Sequence, residues 1–99
     1  MKFDEVLEAL RNGERITNAD LSYHNSWIAR HEPTCVDNEI IPKMNSLPEG
    51  VKEFLKGRGD LRFVDQVLLF SWSPIQEAYF VTSYNLSWRD IFREDWTVC

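Results

Sequence analysis

The sequence predicts an α+β fold: a small antiparallel β-sheet with an N-terminal helix and a short C-terminal helical turn, in an oligomeric assembly. Three observations predict it. The opening "FDEVLEALRNG" repeats its apolar residues at helical spacing, the stretch from Asp60 to Tyr84 reads as two strands around a Pro-containing turn, and the longer of those strands is apolar on both faces. A chain of 99 residues supports one hydrophobic core, so residues 1–99 are read as a single domain.

The first element is a helix over residues 4 to 12. Phe3, Val6, Leu7 and Leu10 make its apolar stripe, Asp4 and Glu5 sit at the positive end of the macrodipole, and Gly13 provides the stop. "ERIT" follows as a brief strand. "NADLSYHNS" is rich in turn formers and reads as an exposed loop, and "WIARH" resumes alternation. Three prolines in "EPTCVDNEIIPKMNSLPEG" exclude a long regular element there. In "EGVKEFLKGRG", Val51, Phe54 and Leu55 share a face ahead of Gly57 and suggest one or two helical turns.

"DLRFVDQVLLFSWS" and "EAYFVTSY", joined through "SPIQE", predict an antiparallel hairpin. Val64, Gln66, Leu68, Phe70 and Trp72 fall on one face of its first strand, and Phe63, Asp65, Val67, Leu69 and Ser71 on the other. A strand apolar on both sides needs cover on both sides, which a short chain hardly provides alone, so self-association is expected. Ser87 and Asp90 have capping-box spacing and place a helical turn in "WRDIFRED". "WTV" is read as a last strand returning to the sheet.

The formal net charge is −5, and such a chain lacks the basic face needed to grip a nucleic-acid polymer. No apolar run approaches membrane-spanning length, so no membrane partner is expected. Cys35 and Cys99 form no C-x-x-C pair and are read as reduced, unpaired thiols. His24, His31 and Cys35 are spaced by seven and four, which matches no zinc pattern, so neither a metal nor another cofactor is expected. Ser22 and Ser26 flank His24, but nucleophilic sites are assembled in space, and a Gly-rich phosphate loop is missing. No enzyme signature stands out.

A binding site is better supported. Tyr84, Trp88 and Trp96 offer π faces, Asn85, Ser87 and Asp90 offer donors and acceptors suited to base edges or ribose hydroxyls, and Arg89 or Arg93 can meet a phosphate. The competing reading makes Trp96 and Ile91 core, Ser87 and Asp90 a helix cap, and the arginines surface. In the binding reading "NLSWRD" forms one wall of a pocket for a small nucleotide. "LSYHNSW", with Tyr23 and Trp27, forms the other wall from the same or a neighbouring subunit, and Arg30 or Arg89 meets phosphate.

The two ends of the chain together resemble a phage family, the second type of Thoeris anti-defence protein. Its members begin with F-x-E-A-L-x-x-L-x-x-G, continue into a basic strand and close on D-x-L-A-x-D-W before a short apolar strand. Phe3, Glu5, Val6, Leu7, Leu10 and Gly13 fit the first motif, and Asp90, Asp95 and Trp96 the second. The match covers roughly a third of the chain. Arg93 replaces the usual Ala, and "LSYHN" replaces the family's W-N-G, with Leu21 at the Trp position, so that Tyr23 or Trp27 would have to supply the ring.

The resemblance implies a non-enzymatic sponge working in the cytoplasm of the infected bacterial host. Such a protein binds a cyclic ADP-ribose-type signal or a cyclic oligonucleotide as a homo-oligomer, commonly a homotetramer, and hides it from the effector. Two other classes stay open: an interaction protein that blocks a host protein through exposed aromatics, and an enzyme that degrades the signal.

Overall fold

The N-terminal periodicity is realised as α1 (Phe3–Arg11), started by the Lys2 main-chain nitrogen donating to the Glu5 carboxylate at 3.0 Å. Asn12 and Gly13 close it, and Gly13 takes a φ of +78°, which a residue without Cβ adopts freely. Val6, Ala9 and Leu10 are buried, whereas Leu7 is 39% exposed. The core-facing stripe therefore runs i, i+3, i+4 from Val6, and Leu7 lies about 100° off it.

The computed structural model describes residues 1–99. Its strands are β1 (Ile16–Thr17), β2 (Ser26–His31), β3 (Thr34–Val36), β4 (Leu61–Phe63), β5 (Gln66–Ser73), β6 (Ala78–Ser83) and β7 (Thr97–Val98). The remaining helices are α2 (Ala19–Tyr23), α3 (Glu49–Leu55) and α4 (Trp88–Phe92). The fold class is α+β, and by contact density the chain forms two units, Met1–His31 with Asp65–Cys99, and Glu32–Val64.

The first unit holds an antiparallel five-stranded sheet in the order β6-β5-β2-β1-β7. Pairing of Ile16 with Ile28, Ile28 with Leu69, and Ile16 with Val98 sets one face. That face packs on α1: Val6, Ala9, Leu10, Ile16, Ile28 and Trp96 form the core, flanked by Phe3, Leu21, Val67, Leu69 and Tyr84. The opposite face follows from the alternation. It carries Arg15 and Thr17 beside Trp27, then Phe70, then Val81, with Trp72 paired to Tyr79.

Two expectations are corrected here. Residues 18 to 26 are not simply a loop, because Asn18 Oδ1 accepts from Leu21 N at 2.9 Å and caps α2. Turn-forming residues also cap helices, and composition alone does not separate the two uses. Nor is the apolar run 60–73 one strand: Leu61–Phe63 pairs with β3, and pairing to β2 starts only at Gln66.

In the second unit, the two-stranded β3–β4 sheet and α3 are joined by Asn38. Its Nδ2 donates to the Leu55 and Gly59 carbonyls at 3.0 and 2.6 Å, and its Oδ1 accepts from Gly57 N at 3.2 Å. Its own main-chain nitrogen donates to Asp60 at 2.9 Å. Between β3 and α3 the chain makes only a 3-10 turn at Ile41–Lys43, with Pro42 in its first positions, as the prolines require. No helix is long and apolar enough to cross a membrane.

Candidate functional site

The C-terminal segment that carried most of the predicted site is organised around Asp90, which is buried. Asp90 Oδ2 accepts from Ser87 N at 2.9 Å and from its hydroxyl at 3.1 Å, completing the capping box of α4. Oδ1 accepts from the Tyr84 hydroxyl at 3.0 Å, and the Asp90 carbonyl accepts from Trp96 Nε1 at 2.9 Å. Burial, and secondarily the adjacent Asp90 carboxylate, push the Tyr84 phenol up to about 12. Tyr84, Ser87 and Asp90 thus hold the chain's own cap together.

The other C-terminal candidates point to solvent. Trp88 is 75% exposed and stacks on Phe92 at 6.0 Å, one helical turn away. Asn85 is exposed in the loop before α4, and exposed Arg89 reaches Asp20 at 3.5 Å. Arg93 has a structural part instead. It donates to both Asp95 oxygens at 2.6 and 2.7 Å and to Asp20 at 2.9 Å, while Asp95 also accepts from Ala19 N at 3.0 Å. The Arg93 guanidinium holds the Asp95 carboxyl well below the usual carboxylate range, and the clasp ties α2 to the segment before β7.

Of the N-terminal candidates, Tyr23 is 84% exposed and meets only the edge of the His24 ring, at 5.1 Å. Arg30 is bound in a bidentate pair with Asp65, both contacts at 2.9 Å, and its hydrogen bonds lower the Asp65 carboxyl from its ordinary value. The Ser26 hydroxyl donates to the His24 carbonyl at 3.1 Å and lies 3.0 Å from the Ser71 hydroxyl. That geometry is a turn contact at the start of β2.

Trp27 lies differently. It borders an open cleft of about 250 Å³ whose walls are Thr17 and Tyr79 on the sheet, Arg15 and Cys99 just beyond the ends of β1 and β7, and Ser22, Asn25 and Ser26 at the turn from α2 into β2. The turn is possible because Asn25 adopts a φ of +53°, which Asn tolerates better than most residues. The Trp27 indole stacks on Phe70 at 4.2 Å and 11°, meets Tyr79 edge-on at 5.8 Å, and has the Arg15 guanidinium over it at 5.3 Å. Arg15 also donates to the main-chain oxygen of Cys99 at 3.1 Å.

Neither a known protein-family model nor a curated protein matches the chain.

Of the individually predicted ligand residues only Trp27 borders this cleft, together with Ser22, Asn25 and Ser26 of the predicted "LSYHNSW" wall. Arg15, Thr17 and Tyr79 were missed, although a signal for the first two exists: if Ile16 is core in a two-residue strand, its neighbours must point to the other face. Tyr79 carries no comparable signal, since only the β5–β6 register brings it beside Trp72 and toward Trp27. Among the arginines, Arg30, Arg89 and Arg93 are paired with carboxylates, whereas no Asp or Glu side chain neutralises Arg15. The cleft therefore combines a cation, an indole, a phenol and hydroxyl and amide groups, which can together hold a planar ring bearing an anion.

Proposed function

We propose that this protein binds a small nucleotide-derived signal, of the cyclic ADP-ribose or cyclic-oligonucleotide kind, and sequesters it without cleaving it. The observation that carries the reading is the cleft in which Arg15, met by no Asp or Glu side chain, lies against Trp27, with Tyr79 edge-on to the indole and polar groups at the rim. The resemblance of the chain's two ends to the anti-defence family supplies the setting, the cytoplasm of an infected bacterium. Mass action is the mechanism. A tight site present above the signal concentration lowers free signal below the effector's threshold.

The working form in this proposal is a homo-oligomer, a tetramer by the family resemblance. Two features support assembly. All six residues of the edge strand β6, "AYFVTS", are exposed, and none is a charge or proline that would block a second strand. The cleft of about 250 Å³ also falls below the roughly 300–1,000 Å³ usual for small-molecule sites, so a second copy could complete its open side. The stacked and exposed Trp88–Phe92 pair favours a second reading, in which the chain blocks a host protein through an aromatic surface.

One experiment separates these. The protein is purified from cells making the signal, denatured, and the released small molecules are identified by mass spectrometry. Intact cyclic nucleotide in proportion to protein is the expected result. Converted product would replace sequestration by degradation, and no nucleotide at all would leave the blocking surface as the better reading.

A further inference from the structure

Both faces of the Trp27 ring are already occupied, and by groups of unequal mobility. Arg15 precedes β1 and Phe70 lies on β5, the strands flanking β2 on opposite sides, so Phe70 covers one face of the indole and the guanidinium the other. Phe70 is fixed, because β5 is central and laddered to β2 and β6 along its length. Arg15 is exposed and is held by a single hydrogen bond to the Cys99 oxygen and by its position over the ring. A neutral planar molecule must compete with that cation for the indole. An anion does the opposite, since a phosphate offers the guanidinium a charge-assisted, bidentate partner in place of a single contact to one Cys99 oxygen.

We infer that Arg15 is the specificity-determining residue of this cleft, covering Trp27 until a phosphate draws it aside, so that the site accepts a ring only when the ring carries phosphate. The inference rests on the proposed nucleotide binding and deepens it. It selects phosphorylated compounds over free nucleosides, and it couples the two halves of recognition: phosphate binding uncovers the surface on which the base then stacks. Ser22 and Asn25 stand at the same cleft as donors for the remaining ligand oxygens, whereas the Thr17 hydroxyl already donates to the Ser26 carbonyl at 2.8 Å.

The test follows the Trp27 indole N–H by nitrogen-edited NMR, assigned with Trp27→Phe, while the full chain is titrated with pyrophosphate, adenosine and ADP-ribose. In the unsubstituted protein, pyrophosphate and ADP-ribose shift this resonance and adenosine leaves it alone. In Arg15→Ala, adenosine shifts it, pyrophosphate no longer does, and ADP-ribose affinity falls tenfold or more. Arg15→Lys keeps the charge without the planar fork and should fall between. Melting curves should coincide, because Arg15 is exposed. If adenosine engages Trp27 equally with and without Arg15, nucleotide binding stands and the covering role is overturned. If none of the three probes engages Trp27 in either protein, the nucleotide reading is overturned and this inference with it.

Discussion

Trp96→Ala should be among the most damaging substitutions this chain can suffer, and its size follows from the geometry. Trp96 is 2% exposed, packs with Val6, Ala9, Leu10, Ile16 and Ile28, and donates Nε1–H to the Asp90 carbonyl at 2.9 Å. Truncation opens a large cavity and leaves that carbonyl without its donor, which together place the loss at about 3–5 kcal/mol. A chain of this size is stable by only about 5–15 kcal/mol, so half or more of its stability can disappear. The melting temperature should fall by roughly 12 °C or more, taking the low end of the loss and about 4 °C per kcal/mol. Trp96→Phe separates the contributions: it retains much of the volume but not the N–H, and should cost about 1–3 kcal/mol. Urea unfolding followed by circular dichroism measures all three proteins, with Trp88→Ala as control. Trp88 is 75% exposed, so its loss should stay within about 0.5 kcal/mol. A Trp88→Ala more destabilised than Trp96→Ala would refute the division of the C-terminal aromatics into core and surface.

Alkaline stability should report Tyr84: its folded pKa is raised to about 12, so it contributes fully below its unfolded value near 10 and loses that contribution as pH rises through the folded value. Tyr84→Phe should remove the latest step of the phenolate absorbance titration, and an unchanged titration would contradict the Asp90 contact. Asp95 has the opposite sign, because Arg93 and Ala19 N–H depress its pKa from 3.8; its contribution is present above that value and fades as pH falls toward the folded value. Acid unfolding of Asp95→Asn should accordingly show a flatter low-pH limb than the parent, and coincident limbs would count against the clasp. Asn38→Ala should lose about 1–3 kcal/mol, with faster amide exchange confined to residues 32–64, whereas uniform loss across both units would show that Asn38 does more than join one of them. Light scattering at micromolar concentration should give a multiple of 11.7 kDa, and a value at the monomer mass would remove the assembly proposed around β6.

Local chemistry made much of the frame legible. The stripe of α1, the Gly13 stop, the Ser87–Asp90 capping box, the hairpin turn and the closing strand all depend on residues within a few positions of one another, and such short-range preferences are written directly in the order of the chain. Thr97 and Val98 beside it, with its match to the closing Trp of the resembled family, point Trp96 to a structural role, and it is buried just ahead of β7. Asn18 shows where this fails, since a side chain that can start a turn can equally cap a helix. The 60–73 run fails for a different reason: apolar residues continue across Val64 and Asp65, yet the partners change from β3 to β2 there.

The candidate site lay mostly beyond the sequence. Asp90 and Tyr84 have the chemistry of ligand groups, but which donor a carboxylate meets depends on side chains that only the folded chain brings within 3 Å, and here those donors are its own. Trp27, Phe70 and Tyr79 come from three strands and Arg15 from the residue before β1, and they meet through the order β6-β5-β2-β1-β7 and its registers. Sequence by itself determined which residues alternate, which cap and which are apolar, because those are properties of one segment. Tertiary structure decided which segments became neighbours and which arginine no Asp or Glu side chain meets, because strand pairing joins residues whose separation along the chain carries no trace of their distance in space.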